Sequence, residues 1–224
     1  MNPTSGYDAV VFDMDGVLIE RSPAWVFEEA TQETFDAFGI EPGEDEYDLL
    51  RYAAWESTDW TDRFEECYGV TVESLWAVRQ SLAAVNQVRA IERGEKRLYD
   101  DALSTVETVD APTAVVSNNS QQAVEYVLRW SGFSDRLDRW YGLQPTPADA
   151  KRGKPDPTYL DRVLSDLSAE TAVYVGDRAS DVAAAQAAGV DSAFVHREFN
   201  AAETFENSPT YELDRLDDLP SILS

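Results

Sequence analysis

The apolar run Ala9-Val10-Val11-Phe12 ends in Asp13-Met14-Asp15-Gly16. Carried on as strand, side chains two apart face the same way, which puts the carboxylates of Asp13 and Asp15 about 7 Å apart on one side of a sheet. At an effective dielectric near 20, two full charges at that distance repel by roughly 2 kcal/mol. A purely structural strand would avoid the arrangement, so something in the folded protein must offset it. Three further segments carry side chains able to take part: Ser117-Asn118-Asn119-Ser120, Gly153-Lys154-Pro155-Asp156-Pro157 and Gly176-Asp177-Arg178-Ala179-Ser180-Asp181. Between them they supply hydroxyls and amides, one lysine, one arginine and three more acids.

Each cluster sits at or near the end of an apolar run. Ala9–Phe12, Thr113–Val116, Arg139–Gly142, Ala172–Val175 and Ser192–Val195 are short and rich in β-branched or aromatic residues. Most are near-continuously apolar, as strands covered on both faces are. Helical patterns lie between the later ones. Gln121 to Trp130 follows a Ser120 cap, Thr158 to Leu167 follows Asp156-Pro157, and Asp181 to Ala188 ends at Gly189. This alternation argues a parallel sheet with helices on both faces, a fold that binds ligands outside the carboxyl ends of its strands. Between the first two strands about ninety residues read as helix. The first helix is expected after Ser22-Pro23, the second from Glu46 to Trp55 and a short third from Trp60 to Tyr68. A long fourth runs from Thr71 to Ile91, with Val72, Leu75, Trp76, Leu82, Val85 and Val88 inward. Leu98 to Val106 leads back to the sheet.

The four motifs DMDGV, VVSNN, GKPDP and VGDRASD, in this order, resemble those of the haloacid dehalogenase-like hydrolases, in particular phosphatases with a helical cap after the first strand. The likeness covers nearly the whole chain. It implies an α/β fold, a Rossmann-like three-layer parallel sheet core of residues 1–20 and 97–224, with a helical cap of residues 21–96. It further implies Asp13 as the nucleophile that forms an aspartyl phosphate, and Asp15 as general acid and base, expected to start protonated because Asp13 is near. Asp13, Asp177 and Asp181, with the backbone carbonyl of Asp15, would bind Mg2+. Asp181 could instead cap the helix that follows, a role open to Ser180 as well. Ser117, Asn118 and Gly16 belong to the phosphate cradle, Gly16 by allowing a sharp turn, and Lys154 balances charge on the nucleophile and the transferring group. Arg21 and Trp25, close after the first motif, and Arg178 are the candidates for reading the substrate. His196, the single histidine, has no partner suggested by spacing.

The composition narrows the partners. Net charge is −25, with 43 acidic against 18 basic residues spread along 224 positions. Such a surface repels a phosphate backbone and an anionic membrane alike. There are three lysines, Lys96, Lys151 and Lys154, against fifteen arginines, and dispersed acid of this kind fits a high-salt cytosol. Cys67 is the lone cysteine, so neither an internal disulfide nor a thiolate metal site can form. The N-terminal MNPTSGYDAVVF does not read as a signal peptide, and a cytoplasmic location follows as the expectation. The expected activity is Mg2+-dependent hydrolysis of a small phosphorylated metabolite by a monomer or homodimer. A phosphomutase of the β-phosphoglucomutase type and a non-catalytic ligand-binding module are the competing readings.

Overall fold

A computed structural model describes residues 6–52 and 59–223, the side chains of 59–63 excepted. Six strands form one parallel sheet in the order β3-β2-β1-β4-β5-β6. They are β1 (Ala9–Phe12), β2 (Thr113–Ser120), β3 (Arg139–Leu143), β4 (Ala172–Gly176), β5 (Asp191–Val195) and β6 (Tyr211–Leu213). The five expected strands are present; β6, three residues at the sheet edge, has too short and polar a run to be read beforehand. From β1 the chain winds outward through β2 and β3, then returns to build β4, β5 and β6 on the other side. The winding therefore reverses between β1 and β4, the point where connections diverge and leave a crevice.

The strands alternate between two cores. Val10 and Phe12 of β1 pack with Val115, Val173 and Val175 against α6 (Gln121–Ser131), α5 (Ala102–Thr108) and Leu216 and Leu219. Ala9 and Val11 face the other way, toward Ala114, Val116 and Tyr174 and the apolar face of α8 (Thr158–Leu167), which presents Leu160 and Val163, with Ala185 of α9 (Ala179–Ala187). Both faces of the sheet are covered, giving the three layers expected of near-continuous apolar strands. A short helix, α7 (Pro147–Ala150), precedes the lysine loop.

The insertion contains α1 (Trp25–Phe38), α2 (Glu44–Tyr52), α3 (Asp59–Tyr68) and α4 (Val72–Glu92). It has a core of its own, where Phe35 stacks on Tyr47 and Phe64 beside Leu50, Leu75 and Trp76. Trp55 lies outside the described residues, as does the side chain of Trp60. The chain leaves and re-enters the sheet region side by side: Ile19 pairs antiparallel with Leu98, and Glu20 N–H donates to Arg97 O at 2.8 Å.

Two local expectations change. Ser22 does not cap α1, which starts at Trp25 without a side-chain cap, because its hydroxyl is engaged by Lys96 and Gln87. The inward face of α4 also differs after Trp76: Val85 is 40% exposed, while Ala83, Ala84, Asn86, Gln87 and Ala90 are buried. Small residues allow α1 to approach, and the two amides have partners waiting: Asn86 donates to Val26 O, and Gln87 reaches the site described below.

Candidate active site

Parallel strands in register bring their carboxyl ends to one level. Phe12 pairs with Val115 on one side and Val175 on the other, and Asp13 N–H continues the ladder to Val175 O at 2.8 Å. Asp13, Ser117 and Asp177 therefore emerge together. β2 runs four residues beyond its expected end, with a register shift between Val116 and Ser120 that places Ser117, Asn118 and Asn119 along the crevice. Ser120 then caps α6, its hydroxyl accepting from Ala123 N–H as expected.

Lys154 occupies the centre. Its Nζ lies 2.8 Å from Asp13 Oδ1 and 2.7 Å from Asp181 Oδ1, and donates to Tyr174 OH at 2.8 Å. The two carboxylates are ion-pair partners, and the ammonium also donates to Val116 O at 3.4 Å. Burial alone would lower the lysine's pKa, but Asp13 and Asp181 outweigh it and hold the group well above its ordinary value. The loop carrying Lys154 is fixed by Asn118, whose Oδ1 accepts from Lys154 N–H at 2.7 Å while Nδ2 donates to Lys154 O at 3.2 Å. The Asn118 side chain thus grips the lysine loop, which leaves its backbone for any bound anion. Ser117 is buried, with its hydroxyl accepting from Asn119 N–H at 3.2 Å.

Asp13, Asp177 and Asp181 each offer a carboxylate oxygen within 4.8 Å of the others. Three carboxylates against one lysine leave two negative charges when all are ionised. The cost is visible in the acids: burial, opposed by Lys154 and reinforced by Asp181, pushes Asp13 up to about 6. Burial, then Asp13 and Asp181, pushes Asp177 up to about 8. Both carboxylate oxygens of Asp177 are buried without a hydrogen-bond partner. A hard divalent cation such as Mg2+ fits this set, since it prefers oxygen donors and would supply the missing charge. Asp181 serves two purposes. Its Oδ2 accepts from the N–H groups of Asp177 and Arg178 at 3.1 and 3.0 Å, capping α9, while Oδ1 faces Lys154.

Two glycines make room. Gly16 has φ +92°, and a Cβ there would strike the carboxylate of Asp177; a Cβ on Gly176 would strike Asp181. The turn at Gly16 is held from outside by Arg197, which donates to Gly16 O and Val17 O at 3.2 and 3.0 Å and pairs with buried Asp101 at 3.1 Å.

Asp15 has a separate set of partners. Lys96 and the Asn119 amide both donate to its carboxylate, one to each oxygen. Lys96 is fully buried and also donates to Gln87 Oε1 at 2.7 Å and Ser22 Oγ at 2.9 Å; Gln87 Nε2 in turn donates to Asn119 Oδ1 at 2.9 Å. In the fold Asp13 and Asp15 are divided between two lysines, and the neighbours of Asp15 are donors.

The site opens into a cavity of about 420 Å³. Asp13, Asp15, Ser117, Asn118 and Lys154 form its floor, and Phe27, Arg51, Trp76, Arg79 and Gln80 of the insertion form a wall. Arg21 and Arg178 line it as well, Arg21 stacking on Phe199 at 4.9 Å. Trp25 stands apart from this lining: its indole N–H donates to Glu95 Oε2 at 2.7 Å and Arg93 covers its ring. His196 pairs with Glu212 at 2.8 Å, also away from the cavity. Lys96, Asn119, Arg79, Tyr174 and Arg197 were not singled out by sequence. For Lys96 a signal existed, since a chain with three lysines against fifteen arginines spends one there.

Residues 7–189 match the family described as haloacid dehalogenase-like hydrolase. The phosphoglycolate phosphatase of Pectobacterium atrosepticum is 28% identical over 232 residues, covering 94% of this chain and 89% of that protein. Pyrophosphatase PpaX of Bacillus cereus is 30% identical over 132 residues, 56% of this chain; the match spans 59% of the pyrophosphatase's length. Among solved structures, CbbY from Rhodobacter sphaeroides in complex with phosphate superposes with a TM-score of 0.69 at 20% identity, covering 97% of this chain and 99% of that one. With the sheet order, the four strand-end motifs and the family match in agreement, the chain belongs to the haloacid dehalogenase-like hydrolases.

Proposed function

We propose that this protein is a Mg2+-dependent phosphatase that hydrolyses a small phosphomonoester through an aspartyl phosphate on Asp13, with residues 21–96 acting as a cap over the core of residues 1–20 and 97–224. One observation carries the reading: Asp13 is paired to a buried lysine beside a partnerless Asp177 carboxylate, at the floor of a cavity of metabolite size. A carboxylate is suited to the task because its acyl phosphate is readily hydrolysed, which splits one difficult displacement into two. Asp13 attacks phosphorus, forming the new P–O bond as the ester P–O bond breaks. Asp15, carrying a proton into the first step, gives it to the departing alkoxide and is left ionised, then takes one from the water that attacks the acyl phosphate. Ser117 and the backbone N–H groups beside it hold non-bridging oxygens, and Lys154 keeps Asp13 aimed and shields its charge from the incoming phosphate. Asp13, Asp177, Asp181 and the Asp15 carbonyl would hold Mg2+, whose contribution is to neutralise charge on the transferring group.

Supporting a phosphorylated substrate are two relatives, a phosphoglycolate phosphatase and a pyrophosphatase. The mutase alternative requires a group that relays protons while water is excluded, and the single histidine of the chain is His196, paired with Glu212. Retention of the full acid set with Lys154 speaks against a module that only binds. The dispersed acid fits work in a salty cytosol, and no helix among the described residues is long and apolar enough to cross a membrane. The test is release of inorganic phosphate from a panel of phosphomonoesters with Mg2+ in high salt. Turnover by the wild type that is lost in Asp13→Asn supports the proposal; interconversion of sugar phosphates without release favours the mutase.

A further inference from the structure

Four arginines line the cavity, and one of them is unlike the rest. Arg21 and Arg178 are exposed and solvated, and Arg51 is paired with Glu28 at 2.5 Å. Arg79, on α4, is 6% exposed, yet no carboxylate of the described residues lies within ion-pair distance of it. The bonds it makes go to neutral oxygens: Nη1 donates to Gln80 Oε1 at 2.7 Å and Nη2 to Arg51 O at 2.9 Å. Its Nε is buried with no partner. The guanidinium carbon lies over the rings of Phe27 and Trp76, 5.1 and 5.2 Å from their centroids, which together with its two hydrogen bonds fix its position before anything binds.

Burying a cation with no counter-ion among the described residues is costly. Burial, with Arg51 nearby, pulls Arg79 down to about 10, which still leaves it cationic at neutral pH. We propose that Arg79 binds a second anionic group, a carboxylate or a second phosphate, on the alcohol side of the substrate, so that the preferred esters are small dianionic-headed compounds with an anion at each end. This rests on the phosphomonoester reading of the floor. A planar fork held against aromatic rings matches a carboxylate or phosphate in two-point contact, which a flexible lysine would not reproduce. The two ends of the cavity then divide recognition: the floor takes the transferring phosphate, and the insertion checks the leaving group by charge.

The experiment compares two probes of similar size, phosphoglycolate and 2-hydroxyethyl phosphate, which differ in the carboxylate. Binding is measured by calorimetry with Mg2+ in the Asp13→Asn background, with Arg79 intact, with Arg79→Met and with Arg79→Lys. Methionine keeps the contact with Phe27 and Trp76 and removes the charge. The expected result is that intact Arg79 binds the carboxylate ester about thirtyfold tighter than the neutral one, as for a hydrogen bond to a charged group. Arg79→Met should abolish the preference while changing affinity for the neutral ester less than about threefold, and Arg79→Lys should keep part of it. Equal affinity for both probes with Arg79 intact, or equal weakening of both by Arg79→Met, overturns the proposal. If Arg79→Met fails to fold, Arg79→Lys decides by the same comparison. Phosphate release by the Asp13 enzyme is assayed in parallel: absence of any turnover alongside a preserved binding preference would sink the phosphatase reading and leave the anion site standing.

Discussion

Lys96, which ends the inserted segment, donates to the carboxylate of Asp15, which follows the first strand, across 81 positions of sequence. The lysine is fully buried, and its other partners, Ser22 and Gln87, also belong to the insertion. The acid proposed to handle protons is thus held by side chains of the insertion. Replacing Lys96 by Met should lower kcat at least tenfold with KM changed little, within the hundredfold or more that positioned acid–base groups supply. Breaking a buried pair from one side should also lower the thermal midpoint. Steady-state kinetics and a melt on the same variant check both; an unchanged kcat would show that the contact is only structural.

Metal binding should depend on pH. Without a cation, burial and the neighbouring acids raise Asp177 from 3.8 to about 8, and burial raises Asp13 to about 6. Mg2+ must displace these protons, so its affinity should climb with pH by roughly tenfold per unit for each proton displaced, and level off above about 8. Calorimetry in buffers of different ionisation enthalpy should detect proton release at pH 7.

The same shifts set stability. Between the ordinary value of 3.8 and the raised values, the folded state binds more protons than the unfolded one, so ∂ΔG/∂pH is negative. The metal-free protein should therefore lose stability as pH rises from about 4 toward 8, and Mg2+ should restore it at the upper end. Chemical denaturation at several pH values, with and without Mg2+, reads this directly.

Gly16→Ala should damage the metal site more than the fold. At φ +92° an L-residue costs about 1–2 kcal/mol. The added Cβ also meets the Asp177 carboxylate, so Mg2+ affinity should fall at least tenfold. Calorimetric titration with Mg2+ measures it, and a folded variant with normal affinity would refute the steric argument.

Salt should stabilise the protein. Between roughly 0.1 and 1 M the Debye length shrinks from about 10 to about 3 Å, which screens repulsion within a surface of net charge −25. The thermal midpoint should rise by several degrees across that range in KCl; a midpoint that does not move would remove the case for a high-salt cytosol.

Much of the fold was legible because its signals are local. Five apolar runs became strands, and Thr158–Leu167 became a helix with the expected bounds, since periodicity and a preceding proline decide such elements within a few residues. Asp13, Asp177, Asp181 and Lys154 converge because each follows a strand end in a parallel sheet, a geometry the motif order already implied. What sequence did not disclose is made by tertiary closure. The amide and alanine face of α4 exists because Gln87 must reach Lys96 and Asn119, which no hydrophobic period encodes. Trp25 looked placed to line the entrance, but Glu95, 70 positions on, holds its indole. Repulsion between Asp13 and Asp15 was foreseen, and its relief by a second lysine was not, because Lys96 sits in no motif.

The most direct test of the proposed chemistry is to trap the intermediate. A phosphomonoester that the enzyme turns over, carrying radioactive phosphate, is mixed with enzyme and Mg2+, quenched in acid during turnover, and the labelled peptide is located by mass spectrometry. An acid-stable, hydroxylamine-labile label on the peptide containing Asp13, absent in Asp13→Asn, is the expected result. Turnover with no label on the protein, or with the label on another residue, would contradict nucleophilic catalysis by Asp13.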